Sequence, residues 1–429
     1  MSGFSARLGN PPYVFSRGNL DEGQKEFLKA QYPKAQYQAN LYAFFILKEL
    51  EESPNGTLGF ITPNNWVTLL TGEYLRRELL GHTSEGQSKE LEGEENTLQP
   101  HDVMIFGHAP GQFQDAAVDT LSLVVSPSSS RKHLSIASQS PVQLEASDEI
   151  PMFFFAQMDE HPQHQGIAFD VGIQSELIDP RRAISPRIFA TDGALEFINH
   201  MANPKHASAL SDVAEVKSGL VAYSEGRGDP SITKEMMKNR VYHSDRQIDD
   251  TWSKYLEGVD VERYNLNWSG NWILYGNNLS EPREARLYQG ERIVVRQIPS
   301  ALPYAICATI VNEEHINDRN SMIVKCDDSP YSIHFILGVL NSKFISTWFD
   351  YYFDKFQRNV FPQFKIAELR EFPIPNLDMN TEEGKTIHDG LELLVKRRLE
   401  TVNEDEIQSI EASIEEIVLA AFGSPHLPE

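Results

Sequence analysis

GNPPYV, residues Gly9 to Val14, stands near the front of the chain, and its reading decides the rest. At average amino-acid usage an Asn-Pro-Pro-Tyr run arises by chance in about one in a thousand chains of this length. Two readings compete. In the plain one, each proline fixes φ and biases its predecessor toward extended backbone, so the stretch is a rigid turn leaving a strand. In the sharper one, it is a loop that holds a flipped-out base. The residues around it have to decide.

Working outward, residues 21–52 read as helical, with Leu41, Phe44, Phe45, Leu47 and Leu50 near helical spacing and Pro33 breaking or kinking the run. SPNG (53–56) is a turn, and TLGFITP (57–63) is a short buried-strand pattern. NNWVTLLTGEYLRRELL (64–80) predicts a second helix with Asn64 or Asn65 as its N-cap. Residues 82–100 are acidic and read as a surface loop. DVMIF (102–106) and AVDTLSLVVS (117–126) are further strands, followed by the loop SPSSSR (126–131). That order is half of an α/β sheet.

From about Ile184 the pattern changes to short strands broken by Gly and Pro, clearest in ILYGNN (273–278), ERIVVRQIP (291–299) and AICATIV (305–311). FPIPN (372–376) punctuates the end of this second part, and residues 381–422 form an amphipathic helical tail. The expected domains are therefore 1–150, a linker at 151–184, 185–375 and a tail at 376–429.

Composition is that of a soluble globular protein, 40% hydrophobic and 23% charged. There is no run of about 18 apolar residues and no signal-peptide pattern, so no membrane is expected. Cys307 and Cys326 belong to no metal-ligand or disulfide pattern, which fits a reducing cytoplasm and predicts no metal site. The net charge of −24 speaks at first against nucleic acid, since phosphates call for Lys and Arg. Its distribution matters more. Residues 181–375 carry 23 basic and 25 acidic side chains, whereas 1–150 carry 11 and 19, 151–180 none and 5, and 376–429 carry 4 and 13. A nearly neutral, Arg-containing middle can grip DNA through a local basic face. An acidic protein unrelated to DNA is the competing reading.

GNPPYV resembles the catalytic loop, (N/D)PP(Y/F/W), of N6-adenine DNA methyltransferases of the gamma arrangement. GFITPNNWV (59–67) with GEYLRRELL (72–80) is similar to the strand and helix that follow that loop in the family, and AVDTLSLVVS to a later strand near the target-base pocket. LSDVAEVKSGL (210–220), ERIVVRQI (291–298), FILGVLNSKFISTWF (335–349) and ELREFPIP (368–375) resemble a Taq-type specificity domain. Restriction-modification and bacteriophage-exclusion methyltransferases share this pattern. The resemblance implies an α/β protein: the C-terminal half of a Rossmann-like methyltransferase sheet, then an α+β target-recognition domain and a helical tail. It implies that Asn10 and the Pro11 carbonyl accept the two hydrogens of an adenine amine, that Pro11 and Pro12 hold those carbonyls in direction, and that Tyr13 stacks on the flipped base.

The departure from the family is the methyl donor's site. S-adenosylmethionine is held there by a Gly-rich loop well upstream of the catalytic loop, and here nine residues precede Asn10. SEGRGDP (224–230) follows no convincing strand and has turn composition. The expectation is a part of an adenine methyltransferase that binds double-stranded DNA and needs a complementing N-terminal polypeptide, or another defence-system subunit, for the cofactor. The alternative is a catalytically inactive specificity protein derived from one. Half a sheet would also expose an apolar edge where its partner packs.

Other candidates carry two readings each. Trp66 lines the DNA cleft or belongs to the core. Lys355, Arg358 and Lys365, interleaved with Tyr351, Tyr352, Phe353, Phe356 and Phe361, approach DNA or ring a domain core. Arg292 and Arg296 share a strand face by their even spacing and either reach DNA or are solvated. Glu215 and Lys217, with Asp212 before them, form an ExK too tightly spaced for a two-carboxylate nuclease site.

Overall fold

The computed structural model describes residues 6–14, 20–33, 40–69, 72–80, 101–107, 120–127, 133–138, 152–154, 167–173, 181–184, 188, 191–355 and 362–428. They fall into two units, Met1–Glu196 with Tyr351–Asp354 and Leu427–Glu429, and Phe197–Asp350 with Lys355–His426.

The first unit is built on strands β1 (Ala6–Gly9), β2 (Thr57–Pro63), β3 (His101–Gly107), β4 (Thr120–Pro127), β5 (His133–Ser138), β6 (Met152–Phe154) and β7 (Ile167–Ile173). They pair in the order β1-β2-β4-β3-β5-β7-β6. β1 runs parallel to β2, and β4 runs antiparallel to both β2 and β3. Side chains alternate as a half-buried sheet requires: Leu58 and Phe60 on β2, and Leu121, Leu123 and Val125 on β4, are buried. Tyr42, Ala43, Phe44 and Ile46 of helix Leu41–Glu52 join this core, which Trp66, Leu75 and Leu79 complete.

Most expected elements stand where the pattern put them. The 21–52 run divides into Glu22–Gln31 and Leu41–Glu52, and the break spans Pro33. Asp21 and Gln24 form a capping box at the first helix. Two expectations are corrected. Residues 64–80 are not one helix but two, Asn65–Thr68 and Glu73–Leu80, because the chain folds back on itself: a Cβ on Gly72 would lie 2.2 Å from the Trp66 carbonyl oxygen. And 151–184, read as a linker, gives β6 and β7 to the sheet. The loop expected at 82–100 lies outside the described residues, as do 128–131 of the loop expected over 126–131, whose first two residues belong to β4, and 117–119 of the strand expected over 117–126.

The second unit contains β8 (Ala207–Ala209), β9 (Glu215–Ser218), β10 (His243–Ser244), β11 (Trp252–Leu256), β12 (Val261–Glu262), β13 (Asn265–Leu266), β14 (Trp272–Leu274), β15 (Arg292–Arg296), β16 (Ala308–Val311), β17 (His315–Asn317), β18 (Ser321–Lys325) and β19 (Pro373–Pro375). Two four-stranded sheets, β10-β14-β11-β17 and β16-β15-β18-β9, dominate it. The tail is helical as expected, Glu382–Glu400 and Glu404–Ala421, and is integral to this unit. Glu411 pairs with both Arg263 and Arg398 at 2.7 Å. Glu415 accepts the Lys343 and Phe344 main-chain N–H groups at 2.7 and 3.3 Å, which caps helix Lys343–Phe353. No helix among the described residues is long and apolar enough to cross a membrane.

Candidate functional site

β1 ends at Gly9, opposite Phe60 of its parallel partner β2, so Asn10 leaves the sheet at the carboxyl end of a parallel strand. In open α/β sheets that is where ligands bind. The burial of the loop is uneven: Asn10 and Pro12 are exposed, Pro11 is buried, and Tyr13 is half-buried. The Tyr13 hydroxyl donates to the Ile61 carbonyl at 3.1 Å, one residue beyond the β1 register. Partial burial raises its pKa, so the phenol keeps the proton it donates. The Val14 carbonyl accepts the Leu41 N–H at 2.9 Å, tying the far end of the loop to the start of a helix. A rigid dipeptide is thus anchored on both sides, with Asn10 exposed.

β1 has one neighbour among the described residues, and Leu8 on it is 85% exposed. Helix Glu22–Gln31 buries none of its residues, and its Phe27 is 66% exposed. SEGRGDP forms turns in which Gly226 and Gly228 take φ of +78° and +84°; it leads to a six-residue helix and follows no strand of the cofactor-binding kind.

Trp66 is corrected to the core. It is 2% exposed, and its indole donates to the Thr62 hydroxyl at 3.0 Å. Beside it stands a residue that sequence reasoning passed over. Arg76 is fully buried and donates to the Trp66, Leu69 and Arg181 carbonyls, tying helix Glu73–Leu80 to the preceding one.

In the second unit, Arg292 and Arg296 part company. Arg292 is fully buried and donates to the Gly290, Glu313 and His315 carbonyls, so it is corrected from a surface contact to a core strut. Burial pulls its guanidinium down to about 10. Arg296 is half-buried and donates to the Ile298 carbonyl and the Ser300 hydroxyl. Lys355 is paired at 2.5 Å with buried Glu368, whose other oxygen accepts the Lys365 N–H at 2.7 Å. Arg358, with Phe356 and Phe361, lies outside the described residues. Glu215 of the ExK has both oxygens engaged by Arg286 at 2.8 Å, which holds its carboxyl down at about 2.

Lys365 is exposed at the mouth of a cavity of about 400 Å³. The lining brings together Arg283, Arg319 and Lys365 with the amides of Gln297, Asn320 and Gln363, and among the described residues it holds no carboxylate. Desolvation lowers the Lys365 ammonium; Glu368 opposes this, and Lys355 and Arg319 add to it. Arg319 and Arg283 are the cations that sequence reasoning missed.

Asn-Pro-Pro-Tyr stands at a carboxyl end of one sheet, a separate unit holds a cation-lined cavity, and the similarities to known proteins fall on both. Residues 1–88 match the Eco57I restriction-modification methylase family, and residues 253–374 match the TaqI-like C-terminal specificity domain. The chain thus carries one stretch similar to a restriction-modification methylase and another similar to a specificity domain. It is 24% identical, over its whole length, to a putative type II restriction enzyme and methyltransferase of Methanocaldococcus jannaschii, of which it spans 32%. To the type II methyltransferase M.HincII of Haemophilus influenzae it is 22% identical, with 96% of this chain and 82% of that protein covered. Its fold is similar to that of the Type IIL restriction-modification enzyme MmeI, solved in complex with DNA, with a TM-score of 0.53 at 13% identity over 98% of this chain and 55% of that one. The chain thus spans about a third of the first of these relatives and about half of the solved enzyme. The expected α/β class, with a methyltransferase-type sheet ahead of a specificity domain, is borne out.

Proposed function

We propose that this chain is the base-holding and DNA-reading part of a site-specific DNA adenine-N6 methyltransferase of the restriction-modification or phage-defence kind. The observation that carries the reading is the Asn10–Tyr13 loop, which leaves the carboxyl end of β1 with its aromatic ring tied to Ile61. An adenine amine is a poor nucleophile because its lone pair is delocalised into the ring. The Asn10 side-chain carbonyl and the Pro11 main-chain carbonyl accept its two hydrogens and draw the nitrogen toward tetrahedral geometry. The prolines hold both acceptors in place beforehand, so little reorganisation opposes the reaction. Tyr13 supplies a face on which the extruded base stacks. S-adenosylmethionine, when bound, supplies the sulfonium methyl that the amine attacks.

The seven-stranded sheet, through β7, then belongs to the partial catalytic domain, with 185–375 as the recognition domain for double-stranded DNA and 376–429 as the helical tail that braces it. The described residues offer no Gly-rich strand-to-helix loop for the methyl donor, so the cofactor is assigned to a complementing N-terminal polypeptide or another subunit. The single neighbour of β1 among the described residues and the exposed Leu8 support that assignment, because an added parallel strand would cover both. The enzyme is expected to work in the cytoplasm, where Cys307 and Cys326 remain thiols.

Isothermal titration with S-adenosylmethionine tests the division of labour. The chain alone should give no binding heat, and the mixture with a complementing polypeptide should. Tight binding by the chain alone would sink the assignment of the cofactor to a partner.

A further inference from the structure

The cations of the second unit differ in what their donors already bind. Arg292 donates to three carbonyls, Arg296 to a carbonyl and a hydroxyl, and Lys355 is paired with Glu368. Arg283 donates to the Gly219 carbonyl at 3.2 Å and the Ser218 hydroxyl at 2.9 Å, and it meets Glu281 at 3.1 Å. Lys365 donates to Gln363 at 2.8 Å. Arg319 stands apart: it is exposed, it lines the cavity, and among the described residues no hydrogen bond or ion pair engages its guanidinium.

The backbone that carries Arg319 is fixed all the same. It lies in the turn between β17 and β18, where the Asp318 carboxylate accepts the Asn320 main-chain N–H at 3.0 Å and the Asn320 side-chain amide at 2.5 Å. The Ser321 N–H closes the turn on the Asp318 carbonyl at 3.1 Å. From outside, the Gly219 backbone lies so close that a Cβ there would fall 1.9 Å from the Asp318 oxygen. An uncommitted guanidinium on an immobilised turn loses little backbone freedom when a ligand arrives.

We propose that this cavity seats a phosphodiester of the DNA backbone, with Arg319 as its principal donor and Lys365 and Arg283 beside it. The proposal rests on the DNA-binding reading of the domain and names a contact within it. Base edges are recessed in the grooves and are met by side chains that protrude, whereas a phosphate projects outward and enters a concavity. Three cations converge there without a lining carboxylate, which suits an anion better than a neutral base edge.

The test is fluorescence anisotropy of the full chain on several labelled duplexes of differing sequence, across a salt series. Each phosphate contact contributes about 0.9 to the slope of log K against log salt. Arg319→Ala should flatten the slope by about 1 and weaken binding roughly tenfold near 0.1 M salt, equally on every duplex. Arg319→Lys should keep the slope, and an unchanged urea midpoint would show that the turn is intact. An unchanged slope in Arg319→Ala, or a loss confined to some duplex sequences as for a base reader, would overturn the proposal. Absence of binding by the unaltered chain would overturn the DNA reading itself, and this contact with it.

Discussion

Gly219→Ala is the substitution whose effect follows most directly from distances. The new Cβ would lie 1.9 Å from the Asp318 carbonyl oxygen and 2.5 Å from that of Asn317, both backbone atoms. Side-chain Cβ atoms essentially never approach closer than 3.0 Å, so the two strands must part by at least the difference, 1.1 Å. That movement stretches the Gly219 N–H to Ser321 bond from 3.1 Å and the Leu220 N–H to Asn317 bond from 2.9 Å, beyond bonding range in both cases. Two lost hydrogen bonds at about 1 kcal/mol each, with about 1–3 kcal/mol for the overpacking itself, give about 3–5 kcal/mol. In urea, with a slope of ~2.5 kcal/mol/M, the midpoint of this unit should fall by about 1.5 M. The same shift displaces the turn bearing Arg319, so DNA affinity should drop in urea-free buffer while the fold persists. A midpoint within about 0.2 M of the unaltered chain would mean that the strands yield without cost and that the turn is not held as argued.

Burial raises the Asp318 carboxyl from 3.8 to about 6. A group whose folded pKa is raised retains its proton longer in the folded state, so its stabilising share is present below about pH 4 and lost as pH rises through 6. Two units correspond to at most about 3 kcal/mol. The difference in urea midpoint between the unaltered chain and Asp318→Asn should therefore shift in the variant's favour between pH 4 and 7; a difference that is flat across that range would refute it. Trp66→Ala should cost about 3–5 kcal/mol, because a fully packed indole leaves a cavity, while the folded fraction binds DNA as before. Full stability combined with weakened DNA binding would return Trp66 to the DNA cleft.

The turn after β1 was legible because two consecutive prolines set it locally, and β2 because its alternation is local. What escaped reading depended on partners distant in sequence. Even spacing puts Arg292 and Arg296 on one face of β15, but spacing does not say what covers each end; the carbonyls of Glu313 and His315, contributed by another segment, turn the first into a core strut. Residues 64–80 carry a helical pattern throughout, and what the pattern does not show is Arg76 reaching back from the second helix to the Trp66 and Leu69 carbonyls. Lys355 and Lys365 looked alike beside their aromatics, yet one is neutralised by Glu368 and the other faces a cavity. Arg319 left one faint signal: a cation in Asn-Asp-Arg-Asn turn composition just before the apolar run Met322–Val324.

The central claim is that Asn10 and Pro11 hold an adenine amine. The most direct measurement is mass spectrometry of nucleosides digested from duplex DNA after incubation with S-adenosylmethionine, the complementing polypeptide and either the unaltered chain or Asn10→Ala. The account predicts N6-methyladenine with the unaltered chain, none when either polypeptide is omitted, and a loss of at least about a hundredfold with Asn10→Ala. Undiminished N6-methyladenine with Asn10→Ala, or methylcytosine as the product, would contradict it.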